Sequence, residues 1–76
     1  MVNDDEIKKW AQIAESLGGQ VGMGAYSLFD RISVSYKEDS NIIDRLNDMM
    51  KSHTKMNETQ IKTFTKAAEE YCLKYS

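Results

Sequence analysis

Apolar residues near the start of the chain recur at intervals of three and four positions. The members of this stripe are Ile7, Trp10, Ala11, Ala14 and Leu17. The spacing places them on one side of a helix, with polar and charged residues between them. Asn3 or Asp4 can cap this helix, and Gly18 follows Leu17, where helices often end in a left-handed residue. The pattern predicts a helix over residues 4–17.

Two further apolar stripes occupy the second half of the chain. The first consists of Ile42, Ile43, Leu46, Met49, Met50 and His53, and it predicts a helix over residues 41–54. The second consists of Ile61, Phe64, Ala68, Tyr71, Cys72 and Tyr75. Asn57 can cap this last helix while Gln60 reaches back to it, and Met56 with Ile61 can form a hydrophobic staple. Because only a few residues separate the two helices, we expect an antiparallel αα-hairpin.

The segment over residues 25–37 fits two structures. Its apolar positions have helical spacing: Ala25, Leu28, Phe29, Ile32 and Tyr36. Residues 31–37 also alternate between polar and apolar side chains, as a strand does, and a β-hairpin would pair 20–28 with 32–37. The turn of that hairpin would lack the Asn-Gly or Asp-Gly pair that short hairpins favour. We therefore prefer a helix and keep the hairpin as the alternative.

All four glycines lie between residues 18 and 24. Gly18 and Gly19 fit the end of the first helix, while Gly22 and Gly24 fit a loop or a close approach of two backbones. Taken together, these patterns predict an all-α fold. We expect a small three- to four-helix bundle with a C-terminal αα-hairpin, forming a single helical domain over residues 1–76. The alternative is an α+β fold with a β-hairpin in residues 20–37.

The composition narrows the classes of function. A chain of 76 residues buries only a thin core, and its single cysteine cannot form an internal disulfide. The longest apolar run, residues 71–73, is only three residues long, so we expect no membrane span. The start of the chain is acidic and lacks an apolar signal region, which predicts a cytoplasmic location. The net charge of −2 gives no general attraction to nucleic acid.

Groups suited to catalysis or metal binding are sparse. His53 is the only histidine, and its place at the end of an apolar stripe indicates the edge of the core. Cys72 lies on the stripe of the last helix, which predicts a small buried side chain rather than a reactive thiol. No phosphate-binding loop or zinc-type ligand set is present. We predict that the protein is not an enzyme and has no catalytic residues, cofactor or metal.

Four lysines suggest one alternative function. Lys51 and Lys55 end the third predicted helix on one face, and Lys62 and Lys66 follow with the same spacing on the fourth. If these two helices form a hairpin, the lysines can gather near its tip. Such a cluster would bind the phosphates of a nucleotide or nucleic acid. The alternative is therefore an anion-binding protein.

Apolar side chains exceed what so short a chain is expected to hide. Ile13 lies off the first stripe, and either Ile42 or Ile43 must lie near an edge. Surplus apolar surface is typical of proteins that bind a partner or a second copy.

We therefore expect a non-enzymatic interaction protein that binds a protein partner through an apolar helical face and forms a homo-oligomer. The expected contact residues are Trp10, Met49, Met50 and Tyr71. A compact, motif-poor chain of this kind resembles small bacterial regulators or inhibitors and bacteriophage accessory proteins in style.

Overall fold

The computed structural model describes residues 2–75, so Met1 and Ser76 of the predicted domain lie outside the described residues. Within residues 2–75 the chain forms four helices and no strand. The helices are α1 (Asp4–Ser16), α2 (Met23–Tyr36), α3 (Ile42–His53) and α4 (Glu58–Tyr75). The prediction of an all-α helical bundle is confirmed. Helices α3 and α4 are joined by residues 54–57 and pack against each other as the expected αα-hairpin.

The alternative of a β-hairpin in residues 20–37 is wrong, because residues 23–36 form helix α2. The apolar residues that α2 buries are Ala25, Leu28, Phe29 and Ile32. A strand with Ile32 and Tyr36 on its buried face would bury Val34 as well, but Val34 is 68% exposed. The polar–apolar alternation covers only the second half of the segment. The helical spacing covers all of it and gives one continuous buried face.

The predicted helix ends form through the expected caps. Asn3 caps α1, because its Oδ1 accepts a hydrogen bond from the backbone N–H of Glu6 at 3.0 Å. At α4 the capping box is complete. The backbone N–H of Gln60 donates to Oδ1 of Asn57 at 2.8 Å, and the N–H of Asn57 donates to Oε1 of Gln60 at 2.9 Å. These bonds satisfy backbone donors that the first turn of a helix leaves without partners.

Contacts at the two ends of the bundle show how the helices run. At one end, Arg45 near the start of α3 donates to the carbonyl oxygen of Val2 at 3.0 Å and pairs with Asp4 of α1 at 2.8 Å. At the other end, the backbone N–H of Lys55 donates to the carboxylate of Glu15 in the last turn of α1. Helices α1 and α3 therefore run in the same direction. Both α2 and α4 begin at the end where α1 and α3 finish.

The glycine segment docks against the α3–α4 hairpin. Gly18 and Gly19 have φ angles of +67° and +70°, the left-handed conformation that closes α1. Gly19 is buried, and a β-carbon placed there would lie 3.1 Å from Cβ of Gln60 and from Cε of Met56. Gly24 lies in the first turn of α2, where a β-carbon would be 3.1 Å from the side chain of Leu17. Both glycines therefore permit close approaches between elements.

One core joins all four helices. Its buried apolar members are Ile7, Trp10, Ala11, Ala14, Ala25, Leu28, Phe29, Ile32, Ile42, Ile43, Leu46, Met50, Ile61, Phe64, Ala68 and Cys72. The expectation that Ile42 or Ile43 lies at an edge is wrong, because both are buried, at 0% and 6% exposure. Ile13 is half-buried and packs against this core. The surplus apolar surface therefore lies elsewhere on the molecule.

Candidate functional site: a tyrosine-lined groove

Two of the four predicted contact residues are unavailable to a partner. Trp10 is 2% exposed and Met50 is fully buried, so both belong to the core and neither forms part of an outer apolar face. Met49 is half-buried at the edge of the core. Tyr71 is also half-buried, but it lies on the surface between α2 and α4. Tyr71 therefore remains a candidate contact residue, whereas Trp10 and Met50 are too deeply buried to contact a partner.

Tyr71 lines an open groove of about 400 Å³ between α2 and α4, here called the tyrosine groove. Its apolar and aromatic lining is Val21, Tyr26, Phe29, Ala67, Tyr71 and Tyr75, with Glu70 and Lys74 as the charged members. The α4 residues of the groove follow helical spacing, so one edge of α4 supplies one wall. Residue Val21 and the first two turns of α2 supply the other wall.

The rings of the groove rest on the core. Tyr26 and Tyr71 stack with their centroids 5.8 Å apart, and Tyr71 and Tyr75 are 4.5 Å apart. Phe29 lies 5.7 Å from Tyr71 on one side and 5.2 Å from the buried Phe64 on the other. Aromatic pairs at these separations are favourable beyond the area they bury. The groove therefore has an ordered base that extends from surface to core.

A hydrogen bond fixes the orientation of Tyr71. Its hydroxyl donates to Oδ1 of Asp30, which lies one turn after Tyr26 on α2. The bond to the Asp30 carboxylate, together with partial burial and the negative charge of Asp30, raises the pKa of Tyr71 to about 12. At neutral pH the hydroxyl therefore remains protonated and continues to donate. This contact ties α4 to α2 across the groove.

Much of the groove and its border is exposed apolar surface. Tyr26 is 47% exposed, Tyr75 is 56% exposed, and Met23, one turn before Tyr26, is 90% exposed. Single exposed apolar residues are ordinary, but a contiguous group of them marks an interaction surface. The apolar stripes revealed only part of this group, because Tyr75 belongs to the stripe of the last helix whereas Tyr26 and Met23 lie off the stripe of α2. One sequence signal was available: residues 16–29 carry no charged side chain.

Two of the four predicted lysines line the same depression. Lys62 and Lys66 line a shallow depression between α3 and α4, and Asp44 and Glu69 line the same depression. Lys51 and Lys55 are exposed but do not line it. The structure thus brings two of the four lysines together and places carboxylates beside them. Those carboxylates reduce the attraction for a phosphate.

Groups that nucleophilic chemistry could use lie at two separate places in the structure. Cys72 is buried, and the loss of hydration raises the pKa of its thiol to about 11, with a smaller contribution from the charge of Glu69. Oγ of Ser52 lies 2.7 Å from Nδ1 of His53, but both side chains are exposed at the end of α3. Within residues 2–75 no group of three or more acidic, histidine or cysteine side chains is placed to hold a metal ion.

No helix in the described part of the chain is both long enough and apolar enough to cross a membrane. No protein-family model, curated protein or solved structure matches this chain.

Proposed function

We propose that this protein is a non-enzymatic interaction protein that binds another macromolecule, a protein, through the tyrosine groove. The proposal depends on the exposed rings of Tyr26 and Tyr75, which both pack against the half-buried Tyr71, while Tyr26 and Tyr71 also contact Phe29 of the core. Tyrosine is enriched at protein interfaces because it offers a large apolar ring and a polar tip. Rings that are already ordered lose little conformational freedom when a partner binds.

The mode of action that fits this surface is occupation of a site on a partner. Regulators and inhibitors can work in this way without chemistry of their own, and phage accessory proteins and small bacterial regulators are the classes we propose. A cytoplasmic setting belongs to the same proposal, because the chain has a single cysteine and so cannot form the internal disulfides that small secreted domains commonly use. A homo-oligomer belongs to the same proposal, because a surface that binds a partner protein can also bind a copy of itself.

Site-directed photo-cross-linking in native lysate tests the proposal. A photoreactive phenylalanine analogue replaces Tyr75 in one sample and Lys9, an exposed residue of α1, in the control sample. We expect position 75, and not position 9, to cross-link to a defined protein. Tyr26→Asp should abolish the product, because it places an unpaired charge in the groove. Equal products from both positions, or none from position 75, would contradict the proposal.

Binding of a nucleotide or nucleic acid through Lys51, Lys55, Lys62 and Lys66 is the second candidate, with less support. The carboxylates of Asp44 and Glu69 beside two of these lysines weigh against it. A phosphate ligand would bind with an affinity that falls steeply as salt is added. A partner held by the tyrosine groove would be nearly insensitive to salt.

A further inference from the structure

We infer that the tyrosine groove also pairs with the tyrosine groove of a second copy of this chain, through a two-fold symmetric contact between the two α4 helices. This inference rests on the proposed function of the groove as a protein-binding surface. It names the occupant and the geometry. In a two-fold contact the same patch is used on both copies, so the patch must be complementary to itself.

The exposed apolar area is of the size that such a contact needs. Tyr26 and Tyr75, at 47% and 56% exposure, together offer the equivalent of one whole aromatic side chain, about 200 Å², and Met23 at 90% and Val21 at 39% add to it. A standard interface buries about 800 Å² on each partner, of which a little more than half is apolar. The groove and its border therefore supply a large part of the apolar surface that one partner of a standard interface contributes.

The order of side chains along α4 suits an antiparallel pairing with the same helix of a second copy. With the two-fold axis near Tyr71, residues on either side of it face each other across the contact. Tyr75 then lies opposite Ala67 of the second copy, where the small methyl group leaves room for the ring. An aromatic side chain facing a small residue is the complementarity that close packing requires.

The charges at the groove are also self-complementary. Glu70 and Lys74 are four residues apart and both line the groove. In the antiparallel pairing, Glu70 of one copy comes within reach of Lys74 of the other, and symmetry makes this pair twice. The uncharged segment 16–29 lies along the opposite wall, where two copies can approach without repulsion between like charges.

Sedimentation equilibrium over micromolar to millimolar concentrations measures the dissociation constant of the dimer. Variants that exchange the charges of Glu70 and Lys74 test the inference. We expect the wild-type chain to form a dimer with a dissociation constant in the micromolar range. Glu70→Lys places a second lysine beside Lys74 of the other copy, and Lys74→Glu places a second glutamate beside Glu70. Each variant should weaken the dimer about tenfold, because two unfavourable pairs form. The double variant Glu70→Lys with Lys74→Glu should recover the affinity to within about threefold.

Glu69→Lys is the matched control, because it makes the same charge change on the α3 side of α4. It should leave the dimer unchanged, and far-UV circular dichroism should show all variants folded. A monomer at every concentration overturns the inference, as does a double variant that dimerises no better than the single ones. If the chain is monomeric while position 75 still cross-links to another protein in lysate, the inference fails and the proposed function stands. If neither result appears, both fail.

Discussion

The hydroxyl of Tyr71 links α4 to α2 beside the tyrosine groove, because it donates a hydrogen bond to Asp30. Asp30→Asn removes the carboxylate that raises the pKa of Tyr71 to about 12. We expect the pKa of Tyr71 to fall toward 10, the ordinary value for tyrosine, in this variant. Carbon NMR of the labelled ring Cζ atoms, recorded as a function of pH, follows each tyrosine separately.

The same contact makes the stability of the fold depend on alkaline pH. The pKa of Tyr71 is higher in the folded chain than in the unfolded chain, so its contribution to stability is complete below pH 10 and is lost as the pH rises toward 12. The difference in stability between wild type and Asp30→Asn should therefore shrink over this window. Asp48→Asn, on α3, is the control and should leave the Tyr71 pKa unchanged. A Tyr71 pKa unaffected by Asp30→Asn would contradict the assignment.

At the scale of elements, the glycine segment is a docked connection between α1 and α2. Gly18 and Gly19 share a left-handed φ, but only at Gly19 would an added β-carbon meet Gln60 and Met56. Gly18→Ala should cost about 1 kcal/mol, because alanine is strained in that conformation. Gly19→Ala should cost about 2 kcal/mol or more, because its methyl group also meets α4. Urea unfolding measures both free energies.

The difference between the two glycine variants isolates the docking of the loop on α4, because the backbone strain is common to both. Gln60→Gly combined with Met56→Ala provides the check, since together they remove the Cβ of residue 60 and the Cε of residue 56 that a methyl group at position 19 would meet. In that background the two alanine variants should cost nearly the same. If Gly18→Ala and Gly19→Ala lower the free energy of unfolding equally in the wild-type background, the loop moves away from α4 without a cost in free energy.

The individual helices were predictable from the sequence, because the signals that form them are local. The cap at Asn3, the left-handed Gly18 and the reciprocal pair of Asn57 and Gln60 each involve residues close together in the chain. Spacing likewise identified the buried face of α2, although half of that segment also alternates like a strand. These features needed no knowledge of how the helices pack.

The tyrosine groove was not predictable in the same way, because it depends on which helices become neighbours. Tyr26 lies off the buried stripe of α2, and only its stacking on Tyr71 reveals a shared surface. Trp10 and Met50 were assigned to an outer surface because an apolar stripe shows which residues share a face, not whether that face is covered. In the structure the helices leave Trp10 only 2% exposed and Met50 fully buried.

For the whole molecule, the decisive feature is that a single core connects the buried side of α1 to the groove. Trp10 lies in the α1 part of that core, so its fluorescence follows the unfolding of α1. The tyrosines of the groove lie between α2 and α4, so their signals follow the separation of those two helices. Phe64 is fully buried and contacts Phe29 at the base of the groove. A contiguous core in so small a chain should unfold in one cooperative step, so a substitution at one place in the core should change the unfolding midpoint of all four helices.

Phe64→Leu tests this coupling, because it trims one core ring and leaves every surface residue in place. We expect it to lower the free energy of unfolding by about 1 kcal/mol. In the wild type, Trp10 fluorescence and fluorine NMR of fluorotyrosine should give the same urea midpoint of unfolding. In the variant, both signals should show the same decrease in that midpoint. A variant in which the tyrosine signals change at lower urea than the Trp10 signal would show that α2 and α4 separate first. The groove would then be an independently unfolding layer, and its rings would not be held by the core.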